Sequence, residues 1–508
     1  MDRSRRSGSS MTRDVYEEVT LITYILRPAV RLILAVLLLT PLVAACGAQP
    51  AAVVPTAARS DQVGDVATEA PVVTRAETAE APQAAAATAS APKTSGEKIT
   101  LNVWVGGEPG EVNAQTRLLD AFQKDKPNIT IKKTFMGSEL VSPTLLPALN
   151  AGRGPDVWAG GTGPGQPAAI IEAGHALDLT PYYFKHGWDK IIPPTIVNYT
   201  SSNGKLWAVG DSVESTMMLY NKAIFEKHGL SVPTTWAQFL AVSQKLKAAG
   251  YETVIGLGGA DKWPISHWQS LLWGYYAGPE GIDNVMFGEA RWDDKVFVDA
   301  TNTLAKLDEA NYFGPNPLAV AYDDVMPKFW RGEIPMTFTG SWVVGDAVRD
   351  LGQKINNFSA FPAPNPAEGK SIYPTEDIGG GWYVNSKTQH PDESVELLNY
   401  MLFRPESRRV LLEDGLVPVG AIDLEGVKLP KLQEEMFAIN NKYRDNGTVH
   451  AFLDTVLPAN VTDVTYDGLQ AVLAGQMTAE QFCEEVQATW EEAKAEGKIL
   501  KPGGVERP

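Results

Sequence analysis

The chain runs to 508 residues, 44% of them apolar, which is enough for two or three domains and an ample core. A formal net charge of −17 excludes a broad electrostatic grip on nucleic acid, because such a grip needs basic surface to displace counterions. With only two cysteines, Cys46 and Cys483, no disulfide framework supports the fold.

The N-terminus reads as an export signal over residues 1–45. Arg3, Arg5, Arg6, Arg13, Arg27 and Arg31 precede an apolar run from Leu32 to Leu39, and small residues follow Pro41. The run is too short for a membrane-spanning helix, which takes about 20 residues. It ends in "VAAC", an aliphatic residue and two small residues before a cysteine. That is the pattern of a lipoprotein signal, so cleavage is expected before Cys46 and a diacylglycerol thioether on its sulfur. Residues 46–96 form the next region, rich in Ala, Pro, Thr and Val and without an aromatic residue. Such a composition buries too little surface to offset ordering entropy and predicts a disordered tether. Fifty flexible residues have a root-mean-square span of roughly 40 Å.

From Lys98 the pattern becomes that of an α/β chain. "ITLNVWV" alternates as a strand, and "NAQTRLLDAFQKDKP" places Leu118, Leu119 and Phe122 on one helical face before Pro127. "NITIKKTF" is a second strand. Strand, helix, strand predicts a right-handed crossover and a parallel sheet. The alternation continues with "GPDVWAG" and "TVIGLGG" as strands and "PAAIIEAG" and "ESVELLNYML" as helices. Thr235 with Gln238, and Thr478 with Gln481, have the spacing of capping boxes that open two further helices. In the second, Phe482, Cys483, Val486 and Trp490 share a face, which makes Cys483 a small core residue.

Catalytic signatures are sparse. The six histidines are dispersed, and neither HExxH, CxxC nor GxSxG occurs. No metal or cofactor is expected. "GGTGPGQPAAI", residues 160–170, lacks the spacing of a nucleotide loop and reads as a turn of close backbone approach. Carboxylates are numerous, and their spacing alone does not exclude a glycosidase pair. All 13 Trp lie after residue 100, several beside Gly, Ser and acidic residues at strand ends: "VWVGGEPGE", "DKWPISHW", "TFTGSW" and "EDIGGGWYV". In open α/β sheets ligands bind beyond the carboxyl ends of strands, and saccharides suit indole faces flanked by carboxylates.

The stretch "LYNKAIFEKHGLSVPTTWAQFLAVSQKLKAAG", residues 219–250, closely resembles the extracellular solute-binding proteins of carbohydrate ABC importers. Further matches run in the family's order: "VWVGGEPGE", "GPDVW", "NGKLWAVG", "FWRGEIPMTFTGSW", "GGGWYV", "LLEDGLVPV" and "GLQAVLAGQMTAEQF". Gln238 stands where the family usually has Glu, and Gly210 where it often has Pro. The resemblance covers about residues 97–495. It implies a periplasmic-binding-protein-like fold, in which two α/β lobes are joined by hinge crossovers around a ligand cleft. Lobe one is placed at residues 97–211 and 362–412, and lobe two at 212–361 and 413–508. By the same resemblance Glu108 and Glu214 correspond to acidic acceptors of sugar hydroxyls. Trp263 and Trp268 belong to a cleft-lining segment, Ser341, Trp342 and Trp382 match stacking and polar positions, and Gly381 lets backbone approach the ligand. Asp156 is a further candidate, with a local role at the preceding loop as its competitor. The implied function is that of a non-catalytic, monomeric, lipid-anchored extracytoplasmic receptor. It passes a carbohydrate to the permease of an ABC transporter. A polyol, glycerophosphodiester or peptide ligand, with Arg153 and Arg331 available for phosphate, and an extracellular glycan hydrolase stay open as alternatives.

Overall fold

The computed structural model describes residues 98–506, apart from 107–108, 137, 164, 368–369, 421, 423–424, 445–449 and 500–502. The export signal, Cys46, the tether and Glu108 lie outside the described residues. The first strand, β1 (Ile99–Val105), buries Ile99, Leu101, Val103 and Val105 on alternate positions. Helix α1 (Pro109–Asp125) then lays Leu118, Leu119 and Phe122 on the same core. The chain returns as β2 (Ile129–Phe135), parallel to β1 from the Ile99–Ile129 pair to the Val105–Phe135 pair, as the alternation predicts. Next come β3 (Val157–Gly160), the short helix α2 (Ala168–Glu172), the hairpin β4 (Ser201–Ser202) and β5 (Lys205–Leu206), and β6 (Val209–Gly210).

The long β7 (Val213–Asn221) belongs to a second sheet. After it come α3 (Trp236–Ala248), β8 (Ile255–Gly256), α4 (Trp263–Ala277) and β9 (Met336–Gly340). The expected strand "TVIGLGG" shrinks to two residues, because Gly256, Gly258 and Gly259 offer nothing to pack and the chain turns into a 3-10 turn. Then follow α5 (Val343–Leu351), β10 (Phe358–Phe361), β11 (Glu376–Ile378), β12 (Gly381–Val384), α6 (Pro391–Phe403), α7 (Leu453–Val456), α8 (Ala459–Leu473) and α9 (Ala479–Ala495).

The strand order is β2-β1-β3-β12-β6 in the first sheet and β10-β7-β9-β8 in the second, with β11 also paired to β7. Trp188, Trp382, Leu398 and Met401 join the core of the first sheet. Around the second, Phe239, Trp268, Trp273, Trp292, Phe482 and Trp490 form another. Cys483 sits in that second core with Sγ 3.7 Å from Thr301 Oγ1, and burial pushes its thiol up to about 12. It is the core residue its helix face predicts.

The two caps differ. Thr478 and Gln481 make the full reciprocal box, with Gln481 N to Thr478 Oγ1 at 3.2 Å and Thr478 N to Gln481 Oε1 at 3.0 Å. Thr235 Oγ1 accepts from Gln238 N, but Gln238 Oε1 takes the amide of Thr234 rather than that of the cap residue. That box is therefore half made.

Three segments run side by side between the sheets. Asp211 and Ser212 link β6 of the first sheet to β7 of the second, and Gly379 and Gly380 link β11 back to β12. Asp211 N donates to Gly380 O at 3.0 Å and Gly379 N to Ser212 O at 3.1 Å. Alongside them Val213 N donates to Val417 O at 2.7 Å, and Ser212 bridges to Pro418. Because β11 pairs with β7, residues 376–378 belong to the second sheet and the return crossing falls at Gly379–Gly380. Such narrow passages leave the lobes few torsions about which to turn.

Candidate functional site

At these passages polar side chains crowd a buried place. Among the described residues the buried carboxylates are Asp211, Glu214, Glu376, Asp377 and Asp454, and no Lys or Arg is buried. Ser212 Oγ lies 3.1 Å from Asp211 Oδ1 and 3.5 Å from Glu214 Oε1. Gln115 Nε2, on α1 of the first lobe, reaches Asp211 Oδ2 at 3.5 Å, and its own Oε1 has no protein partner. Burial disfavours the charged form and pushes the Asp211 carboxyl up. Glu214 stands opposite Asp377 in the ladder, with Gly379 beside it. A Cβ on Gly379 would lie 2.2 Å from the Glu214 carboxyl, so glycine is what admits that side chain there. Asp377 accepts from Ile378 N at 2.7 Å and from Thr455 Oγ1, and burial raises its carboxyl to about 7.

Next to the carboxylates stands an aromatic wall in the second lobe. Trp263 and His267 lie one turn apart on α4, hence on one face. The His267 ring stacks on Phe452 at 4.6 Å and 9° and meets Trp263 and Trp342 edge-on at 5.0 and 5.6 Å. Trp342 Nε1 donates to Tyr322 OH at 2.9 Å, and that hydroxyl pairs with Thr339 Oγ1 at 2.6 Å. Trp263 and Trp342 sit 5.7 Å apart at 71°. Behind them His267 Nε2 faces Asp454 Oδ2 at 3.3 Å, and Tyr466 OH donates to the same oxygen at 3.0 Å. Burial alone would raise Asp454, but His267 and the Tyr466 hydroxyl outweigh it and hold the carboxyl below its usual value.

The structure brings together Glu214, Trp263, Ser341 and Trp342 of the expected set. Ser341 fastens the end of β9 to β7, its Oγ accepting from Ser215 N at 3.3 Å and its N donating to Ser215 O at 3.0 Å. Three others lie elsewhere. Trp268 is fully buried and packs on Phe338 and Phe313 within the second core. Trp382 is likewise fully buried, in a strand flanked by β3 and β6, and offers no face for stacking. Asp156 precedes β3, at the amino end of the sheet, where both oxygens are engaged by Asn102 N at 2.8 Å and Thr388 Oγ1 at 2.6 Å. Its local role at the loop is the one the structure supports. Gly381 adjoins the passage, and a Cβ there would meet Thr162 Cγ2 at 2.7 Å, so its bareness serves lobe packing.

Sequence reasoning missed Gln115, Asp211, His267, Tyr322, Asp377 and Asp454. His267 had a readable signal in its position one helical turn after Trp263. Phe452 and Asp454 come from "HAFLDTVLP", whose text carries no signal until the fold sets it beside α4.

A family model described as bacterial extracellular solute-binding protein matches residues 109–405. The chain belongs to that family. An ABC transporter extracellular-binding protein of Pyrococcus horikoshii is 26% identical over 350 residues, 66% of this chain and 73% of that one. A multiple sugar-binding protein of Streptococcus mutans is 23% identical over 327 residues, 60% of this chain and 71% of that one. Among solved structures, a chitin oligosaccharide binding protein superposes with a TM-score of 0.70 at 21% identity, covering 78% of this chain and 99% of that one. A solute-binding protein in complex with raffinose gives 0.63 at 22%, with the same coverage. These likenesses establish the fold of the solute-binding family, two α/β lobes with a cleft between them, in agreement with the fold expected above.

Proposed function

We propose that this protein is a non-catalytic extracytoplasmic receptor that closes on a sugar between its lobes and hands it to the permease of an ABC transporter. The observation that carries the reading is the aromatic wall of Trp263, His267 and Trp342, joined to the carboxylate cluster where Ser341, next to Trp342, exchanges hydrogen bonds with Ser215, next to Glu214. Indole faces suit the C–H faces of sugar rings, and carboxylates accept from hydroxyls. Glu214, Ser341, Trp342, Trp263, Asp211 and Gln115 are the residues we assign to the ligand. The lobes divide at Asp211–Ser212, at Gly379–Gly380 and near Val417–Val419. Gln115 from one lobe and Trp342 from the other supply the differential contact that makes a ligand favour closure.

The names of relatives point the same way, to multiple sugars, raffinose and chitin oligosaccharides. A phosphate-bearing ligand fits less well, since Arg153 and Arg331 are both exposed and Arg331 already pairs with Glu333 at 2.6 Å. A thermal-shift screen across saccharides, polyols, glycerophosphodiesters and peptides tests the reading. Stabilisation by a saccharide supports it, and stabilisation only by another class contradicts it. Incubation with labelled oligosaccharides should return them uncleaved.

No helix among the described residues is long and apolar enough to cross a membrane. We assign membrane attachment to lipidated Cys46, on the outer face of the cytoplasmic membrane or in the periplasm. Acyl chains contribute about 0.8 kcal/mol per buried CH₂, and more than one chain makes the anchoring stable. Cys46→Ser should release the protein or leave it unprocessed, and processed protein still held at the membrane would rule out the anchor.

A further inference from the structure

Gly163, Gly165 and Gln166 form not a ligand loop but a seat. Gly163, with φ of +81°, lies so close to α7 that a Cβ would be 2.1 Å from Thr455 O, and one on Gly165 would be 1.7 Å from Leu457 O. Both obstacles are backbone carbonyls, which cannot rotate away. Gln166 Nε2 then donates to Asp454 O at 3.0 Å. The loop follows β3 of the first lobe, whereas Leu453, Val456 and Leu457 pack in the second lobe's core. The short turn α7 is therefore a part of lobe two on which lobe one rests.

The same turn holds the aromatic wall and the passage. Asp454 lends its carbonyl to Gln166 and its carboxylate to His267 and Tyr466. Phe452 stacks under the His267 ring, and Thr455 donates to Asp377 at the return crossing. His267 in turn sets its edges against Trp263 and Trp342.

We infer that Asp454 is a positioning residue that couples closure of the lobes to the orientation of the Trp263–Trp342 wall. Seating of Gly163, Gly165 and Gln166 fixes the backbone at residue 454, its carboxylate fixes the imidazole, and the imidazole fixes both indoles. A ligand stacked on the wall then binds the closed form better than the open one, which is the differential that shifts such an equilibrium. The wall's role in binding rests on the sugar reading, but the coupling can be tested without a ligand.

The full chain labelled with 5-fluorotryptophan resolves single indoles by ¹⁹F NMR, with Trp263→Phe and Trp342→Phe assigning two of them. Gln166→Ala alters only a half-buried side chain of lobe one. It should shift the resonances of residues 263 and 342 and leave that of core Trp490 in place. Gly165→Ala, which drives a methyl into Leu457 O, should shift them further. If neither variant moves either resonance, the coupling is refuted. With a binding saccharide in hand, Gln166→Ala and His267→Phe should each weaken affinity about 5-fold or more, and together by less than the product of the single effects. Purely multiplicative losses would also refute it. A panel in which no saccharide binds would remove the sugar reading and leave the resonance test standing.

Discussion

Trp342 and Trp382 come two residues and one residue after a glycine in similar text, "TFTGSW" and "DIGGGW", and both are buried, yet they end in different surroundings. Trp382 is the second residue of β12, a strand with neighbours on both edges, and its ring goes into the first core. Trp342 lies two residues past the end of β9, where the chain turns into α5, and its ring folds back over Gly340. A Cβ on Gly340 would lie 1.8 Å from that ring, so here the glycine makes room for the tryptophan itself. At Gly381 the space is taken by Thr162 instead. The difference is one of position relative to the strand: inside it, period-two alternation commits a side chain to a sheet face, and beyond it, the turn is free to aim one at a site.

The largest expected effect breaks the pair apart. Trp382→Ala should cost about 3–5 kcal/mol of stability, the usual range for truncating a buried aromatic, with ligand affinity of the folded fraction little changed. Trp342→Ala should cost less stability and about 2 kcal/mol of binding, near thirty-fold, as for a central contact residue. Denaturant melts paired with calorimetry decide it, and equal losses on both counts would erase the distinction.

A second test compares the two lobes' meeting point across pH. Burial lifts Asp377 to about 7 from the usual 3.8. The unfolded chain releases this proton near pH 4, while the folded protein keeps it until about pH 7. The group's contribution to stability is therefore full below pH 4 and lost as pH rises through that window. Asp377→Asn should melt with a flatter profile between pH 4 and 7 and should gain on wild type at pH 8. Parallel profiles would mean the carboxyl titrates normally. The smallest effect separates the caps. Thr478→Ala should cost about 1 kcal/mol and Thr235→Ala less, since only the first cap closes its box. Equal shifts in melting would leave the second hydrogen bond without consequence.

Much of the scaffold was legible because its strands and helices carry their own periodicity. The parallel β1–β2 pair, the helices at 168–172 and 391–403, and the burial of Cys483 follow from spacing alone. The site was legible only where local chemistry marks it, as at Ser341–Trp342 and Trp263. Asp211 and Asp377 owe their character to burial at the passages, and Asp454 to α4 and α8 packing against α7. These are long-range arrangements that no short window contains. The tryptophan-rich text also overstated the site, because Trp268 and Trp382 share its look while the strand and helix faces on which they lie point inward.

Whether a sugar is held between the lobes against Trp342 is decided by calorimetric titration of saccharide hits from the thermal-shift screen into wild type and Trp342→Ala. Wild type should bind saturably, and the variant about thirty-fold more weakly at an otherwise intact fold. Binding by no saccharide, or equal binding by both proteins, would contradict that placement.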